Sequence, residues 1–348
     1  MLFVSLPLVA QDTLEKMIGQ MFMIGFDNQY ITQESQICKD IKKYDLAGVI
    51  LFDKNLKTKN QTLKLTQNLQ NCNPEKSLLI SVDQEGGKVQ RLKRQYGFYG
   101  RFPKAVSVAK LSDEKTRKVY SKMAKELKSV GINFNLAPVV DLKLNKNNKV
   151  IVAKQRAYSS EPKIVAKYSS LFIDAMHKHN ILTSLKHFPG HGSSLGDTHK
   201  GFVDVSKVHQ DKELDPYRLL IKENKIDTIM VAHVFNKHFD SKYPASLSYD
   251  TITKKLRWHL DYHGVVISDD LQMGAISKRY TLEQTLKMAI NAGNDILLFA
   301  NQVTAKQRVS MKKMISIVKK LIQNGEVDIK SIEKANRRLR KLSKILQL

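Results

Sequence analysis

Five short apolar runs in this 348-residue chain end in ionisable side chains. The runs 78–83, 134–140, 182–186, 228–232 and 265–269 lead into Asp83, Asp141, Lys186–His187, His233 and Asp269–Asp270. One Asp after such a run is ordinary turn chemistry; five ionisable ends point to side chains gathered on one face. The segment 186–200 (KHFPGHGSSLGDTHK) holds three histidines and three of the sixteen glycines. It supports three readings: a metal site of His187, His191 and His199, whose spacing fits no familiar ligand signature; a polar loop with no chemistry; or a pair in which the Asp197 carboxylate fixes the His199 tautomer and supports its charged form. The glycines would let the loop fold over a bound molecule. In 264–276 (GVVISDDLQMGAI) a hydrophobic run delivers two adjacent aspartates. Side chains alternate along a strand, so Asp269 can face the mouth of the fold while Asp270 supports the next loop or helix. The structural alternative makes Asp269 a helix cap.

The elements that must position these residues alternate. Strand candidates are 20–25, 47–52, 78–83, 134–140, 182–186, 228–232, 265–269 and 296–300, and helical patterns cover 60–71, 113–129, 162–178, 212–223, 281–292, 305–323 and 330–346. Eight buried strands separated by helices imply parallel pairing, because parallel strands need crossover connections. Eight is also the number that closes a (β/α)8 TIM-like barrel, whose carboxyl-end face carries active sites. A doubly wound open sheet is the alternative, and no Gly-x-Gly-x-x-Gly turn follows the first strand to support a dinucleotide version. The expectation is a single α/β domain over 11–348, C-terminal helices included. Residues 1–10 are a possible signal remnant or N-terminal segment.

The formal charge is +25, with 58 Lys and Arg against 33 Asp and Glu, but the basic residues are scattered. A nucleic-acid binder gathers them in a stripe beside aromatic residues, so no nucleic-acid partner is expected, while a modest attraction to anionic polymers or headgroups stands. The apolar run 2–10 is too short to span a bilayer and ends like a secretory signal, yet no basic region precedes it. No stable membrane insertion is expected, and a periplasmic or exported location is preferred over a cytoplasmic one. Cys38 and Cys72 fall on the first two barrel helices by this reading. A disulfide is plausible in an oxidising compartment, and two unrelated buried thiols are an equal alternative.

Short matches in order along nearly the whole chain — AGVILF at 47–52, SVDQEGGKVQRL at 81–92, NFNLAPVVDL at 133–142, QRAY at 155–158, KHFPGHG…DTH at 186–199, MVAHV at 230–234, PASLS at 244–248, SDDLQM at 268–273 and AGNDILL at 292–298 — resemble glycoside hydrolase family 3, in its single-barrel β-N-acetylglucosaminidase branch. The resemblance implies a retaining exo-glycosidase that removes terminal N-acetylglucosamine from cell-wall fragments without a cofactor or metal. It makes Asp269 the nucleophile and His199, with Asp197, the acid/base. Asp83, Arg91, Arg156, Lys186 and His187 then hold the terminal sugar; His233 and Asp141 are weaker transfers. Lys88 stands where the family often has Arg, and Thr198 where Ser is usual. A Lys cannot make a bidentate guanidinium contact, which affects detail near Gly86–Gly87. A family 3 β-glucosidase, a phosphorylase, a metal-dependent barrel hydrolase and a non-enzymatic binder of anionic polymers are the other classes. Oligomeric state is not legible.

Overall fold

A computed structural model describes residues 8–304 and 307–346. Eight strands form one sheet: β1 (Phe22–Gly25), β2 (Gly48–Ile50), β3 (Leu79–Val82), β4 (Phe134–Asn135), β5 (Leu182–Phe188), β6 (Thr228–Val231), β7 (Val265–Ser268) and β8 (Leu297–Phe299). Each pairs in parallel with its sequence neighbour, β8 returns to β1 (Phe22 opposite Leu297), and an Ile267–Ile296 bridge between β7 and β8 closes the ring. The fold is the expected (β/α)8 barrel. The strands read as continuous apolar runs because both faces are buried, one by the barrel interior and one by the helices. Alternation sorts the side chains: Met23 and Ile267 point inward with Ile50, Leu136, Met230 and Leu298, while Phe22, Ile24 and Val266 pack outward against the helices. Leu342, from the last helix (Ile329–Leu346), joins the inner cluster and stoppers the amino end of the barrel. Arg338 and Arg257 both grip the buried Asp295 there, at 3.0 and 2.7 Å.

Several boundaries differ from expectation. The ladder of β4 covers only two residues, because Pro138 has no N–H to donate and only Val139 bridges onward, to Lys186. The helix expected over 305–323 runs Met311–Gln323, with the Ser310 hydroxyl accepting from the Lys313 N–H; residues 305–306 lie outside the described ones. A parallel ribbon, Val203–Asp204 with Val234–Phe235, ties the exit of the glycine loop to the segment after β6. A π-helix occupies Asp250–His259. Cys38 lies on the helix Gln36–Tyr44, but Cys72 sits two residues beyond the helix Lys59–Gln70; the two form a disulfide with their Cα atoms 5.2 Å apart. Of the possible signal remnant, 1–7 lie outside the described residues and Leu8–Ala10 open the helix Leu8–Gly19. No described helix is long and apolar enough to cross a membrane.

Candidate active site

A cavity of about 340 Å³ opens at the carboxyl ends of the strands. Its floor is the top of the barrel core, Ile50, Leu136, Met230 and Leu298, and its walls are the strand-end residues and loops. Along one wall two carboxylates and three cations interlock. Asp83, at the end of β3, accepts from Lys186 Nζ at 2.7 Å and from an Arg91 Nη at 3.1 Å. Glu85 faces the same way two residues on, bound bidentately by Arg156 at 2.7 and 2.8 Å and approached by Lys186 at 2.8 Å. Isolated buried charges are costly, and this pairing is what lets Lys186, whose side chain is 3% exposed, remain an ammonium ion. Burial alone would raise Glu85, but the charges of Arg156 and Lys186 outweigh it and hold the carboxyl at about 2. Burial also opposes the charge of Asp83, and Lys186 and Arg91 depress it well below the carboxylate range.

Asp141 works from beneath. Its Oδ1 accepts from the backbone N–H of His191 at 2.8 Å and of His187 at 3.3 Å, and its Oδ2 lies 2.7 Å from His187 Nδ1. His187 Nε2 faces an Arg156 nitrogen at 3.4 Å, and arginine can only donate. The imidazole therefore carries its proton on Nδ1, towards Asp141. Burial raises Asp141, but His187 and His191 bring it below its ordinary value.

At the end of β7 the two aspartates part as strand alternation requires. Asp269 Oδ1 accepts from the Asp270 N–H at 2.8 Å, while Oδ2 has no protein partner among the described residues. Burial raises its pKa, yet His233, His187 and His199 together bring it below the ordinary value, so it is a carboxylate at neutral pH. Asp269 caps no helix: Met273 is the residue before Gly274–Ser277. Asp270 turns to the loop after β8, accepting from Ala300 N–H at 3.0 Å and Gln272 N–H at 3.1 Å; burial, with Asp269 beside it, pushes it up to about 6. His233 does not reach the cavity. Fully buried, it donates from Nε2 to the Asp270 carbonyl at 2.8 Å and accepts at Nδ1 from the Ser246 hydroxyl at 2.6 Å, supporting the turn that presents Asp269.

The glycine loop brings the second group. Asp197 Oδ1 accepts from both the backbone N–H and Nδ1 of His199, at 3.0 and 2.8 Å, leaving Nε2 free on a side chain 66% exposed. Partial burial opposes the charge on Asp197, and these two hydrogen bonds outweigh it. The loop is docked where β7 ends: Thr198 and His199 carbonyls accept from the N–H groups of Ala275 and Gly274 at 3.0 and 3.2 Å. Gly274 permits this approach, since a Cβ there would meet the His199 oxygen at 2.7 Å. Asp83, Arg91, Arg156, Lys186, His187, His199 and Asp269 all line the cavity, with Asp197 just behind His199. The three histidines of the metal reading use Nδ1 on three different partners, Asp141, Ser194 and Asp197. Sequence reasoning passed over Glu85 and Asp270 as members of the site. The signal for Glu85 was present: two residues after Asp83, it falls on the same side of an extended chain.

The arrangement thus offers an ionised carboxylate with a free oxygen, a separate imidazole free at Nε2, and a polar wall of fixed donors. A sequence model of the glycosyl hydrolase family 3 N-terminal domain matches residues 13–342. Beta-hexosaminidase A of Pseudoalteromonas piscicida is 31% identical over 96% of the chain and 61% of its own length, and a beta-hexosaminidase of Haemophilus influenzae is 32% identical over 74% of the chain and 73% of its own. Among solved structures, a glycoside hydrolase family 3 beta-N-acetylglucosaminidase from a Paenibacillus strain superposes with a TM-score of 0.86 at 30% identity, covering 99% of this chain and 63% of that one. The chain thus spans less than two thirds of the Pseudoalteromonas and Paenibacillus proteins. Matched by the family model over residues 13–342, nearly its whole length, the chain belongs to glycosyl hydrolase family 3.

Proposed function

We propose that this protein is a retaining exo-β-N-acetylglucosaminidase. The observation that carries the reading is a single cavity holding the free oxygen of Asp269 and, on a docked loop, the Asp197–His199 pair. In the first step Asp269 Oδ2 bonds to the anomeric carbon as the glycosidic C–O bond breaks, and His199 gives its Nε2 proton to the departing oxygen. In the second, His199 takes a proton from water, whose oxygen displaces the carboxylate. Asp197 steadies the imidazolium that donates in the first step and is re-formed in the second, the ring being neutral in between. The Asp83–Glu85–Arg91–Arg156–Lys186 wall and His187 orient hydroxyls and the acetamido group. A site built to bond that group rejects sugars lacking it, because its own polar atoms would be left unpaired. No cofactor takes part in this scheme. The names of the relatives, beta-hexosaminidase and beta-N-acetylglucosaminidase, agree with it.

Cell-wall fragments ending in N-acetylglucosamine are the proposed natural substrate, met outside the cytoplasm. The Cys38–Cys72 disulfide supports that location, since such bonds persist in oxidising compartments. The test is release from chromogenic N-acetylglucosaminide and glucoside side by side. Turnover of the first and neglect of the second is expected; equal rates would end the assignment of the polar wall to the acetamido group.

A further inference from the structure

Lysines that the sequence disperses over four segments meet beside the catalytic mouth. The loop 150–157 separates two cavities. Val150, Lys154 and Arg156 line the catalytic one, whereas Val152, Gln155 and Ala157 line a neighbouring cleft of about 360 Å³. Three of the eight residues lining that cleft are Lys104, Lys110 and Lys143, and none is an acid. Lys104 packs on Gly87, next to Lys88, and Lys88 and Lys154 stand on the rim of the catalytic cavity. All five are exposed, and among the described residues none of their ammonium groups has an ion-pair or hydrogen-bond partner, unlike the paired cations of the catalytic wall. The charge of Lys154 reaches Asp197, so this side of the cavity is the side of the proton donor, where the leaving group departs. Like charges brought together without counter-charges repel, and the arrangement is relieved when an anion enters.

We propose that this cleft is an anion-binding subsite for the aglycone, taking a carboxylate-bearing chain that extends from the leaving group past Lys88 and Lys154 to Lys104, Lys110 and Lys143. The inference rests on the glycosidase reading and adds to it what the enzyme selects on the far side of the scissile bond.

The test compares two umbelliferyl N-acetylglucosaminides, one with a tri-glutamate tail on the umbelliferyl group and one with a tri-glutamine tail. At low salt the wild type should show a KM about tenfold lower for the glutamate tail with kcat little changed. Since exposed pairs are individually weak and screened, the preference should vanish near about 0.5 M salt. The triple variant Lys104→Gln, Lys110→Gln, Lys143→Gln should lose the preference yet turn over the glutamine-tailed substrate like wild type. A control of equal charge, Lys312→Gln, Lys313→Gln, Lys320→Gln, should keep it, separating the cleft from the overall charge of +25. Equal KM values for the two tails in wild type, or a preference that survives the cleft variant, would overturn the proposal. Fluorescence anisotropy of the free tri-glutamate umbelliferone reads the cleft without turnover. Tail binding lost in the cleft variant, with neither glycoside cleaved, would sustain the subsite and fell the glycosidase reading instead.

Discussion

Glu85→Gln is the substitution whose effect the structure specifies most fully. Glu85 is 6% exposed in its side chain, bidentate with Arg156 and in contact with Lys186. Its carboxyl is drawn from the ordinary 4.5 to about 2. At about 1.36 kcal/mol per pH unit, the charge contributes about 3 kcal/mol to stability at neutral pH. A depressed carboxyl contributes fully above the unfolded value and loses its contribution as pH falls through 4.5 towards 2. At pH 3 about 1 kcal/mol remains by the same relation. The amide keeps the shape and abolishes the charge. Urea unfolding of both proteins should show the variant less stable by about 3 kcal/mol at pH 7, with the gap shrinking to about 1 kcal/mol at pH 3. Loosening Arg156 and Lys186 should also lower kcat/KM by about 10²-fold through misplacement alone. A stability gap that stays constant between pH 7 and pH 3 would refute the ion-pair account of this wall.

Other perturbations test separate joints of the structure. In Gly274→Ala the new methyl meets the His199 carbonyl, so the loop should undock and kcat drop by about tenfold or more while thermal unfolding barely moves; unchanged kcat would show that docking is dispensable. Asp270 carries its raised value of about 6 as a penalty that grows as pH rises from its ordinary range through 6. Asp270→Asn should therefore match wild type near pH 4 and exceed it by about 2 kcal/mol at pH 8, allowing for solvent in the cavity; equal stability at pH 8 would contradict the burial argument. Removing the disulfide with Cys38→Ser, Cys72→Ser opens a loop of sequence separation 34 and should cost about 3–4 kcal/mol on chain-entropy grounds, read as a lower urea midpoint than that of the oxidised wild type. Chelator treatment should leave turnover intact, and a loss reversed by zinc would restore the three-histidine metal reading.

The sequence disclosed the barrel because each strand is buried on both faces and so appears as an unbroken apolar run between helical patterns. It disclosed Asp269 and Asp270 as residues of opposite duty because alternation along β7 is a local rule. Local rules fail where distant segments decide. Pro138 shortened β4, and the ribbon Val203–Asp204 with Val234–Phe235 is too short to carry a pattern. The π-helix Asp250–His259 does not follow the 3.6-residue period by which helices are recognised. Asp141 and His233 were legible as ionisable strand ends, but not as supports of His187 and of the Asp270 turn, since those contacts span 46 and 37 residues. The unpaired lysines escaped for the same reason, reading singly as solvated surface.

The direct test of the central claim is to trap the reaction half-way. A fluorinated N-acetylglucosaminide that forms the glycosyl-enzyme quickly and releases it slowly should leave the protein heavier by one sugar residue. Peptide mass spectrometry should place that mass on Asp269, and Asp269→Ala should take up none. A label on any other residue, or turnover of the reagent by Asp269→Ala at the wild-type rate, would contradict the assignment of the strand-seven carboxylate as nucleophile.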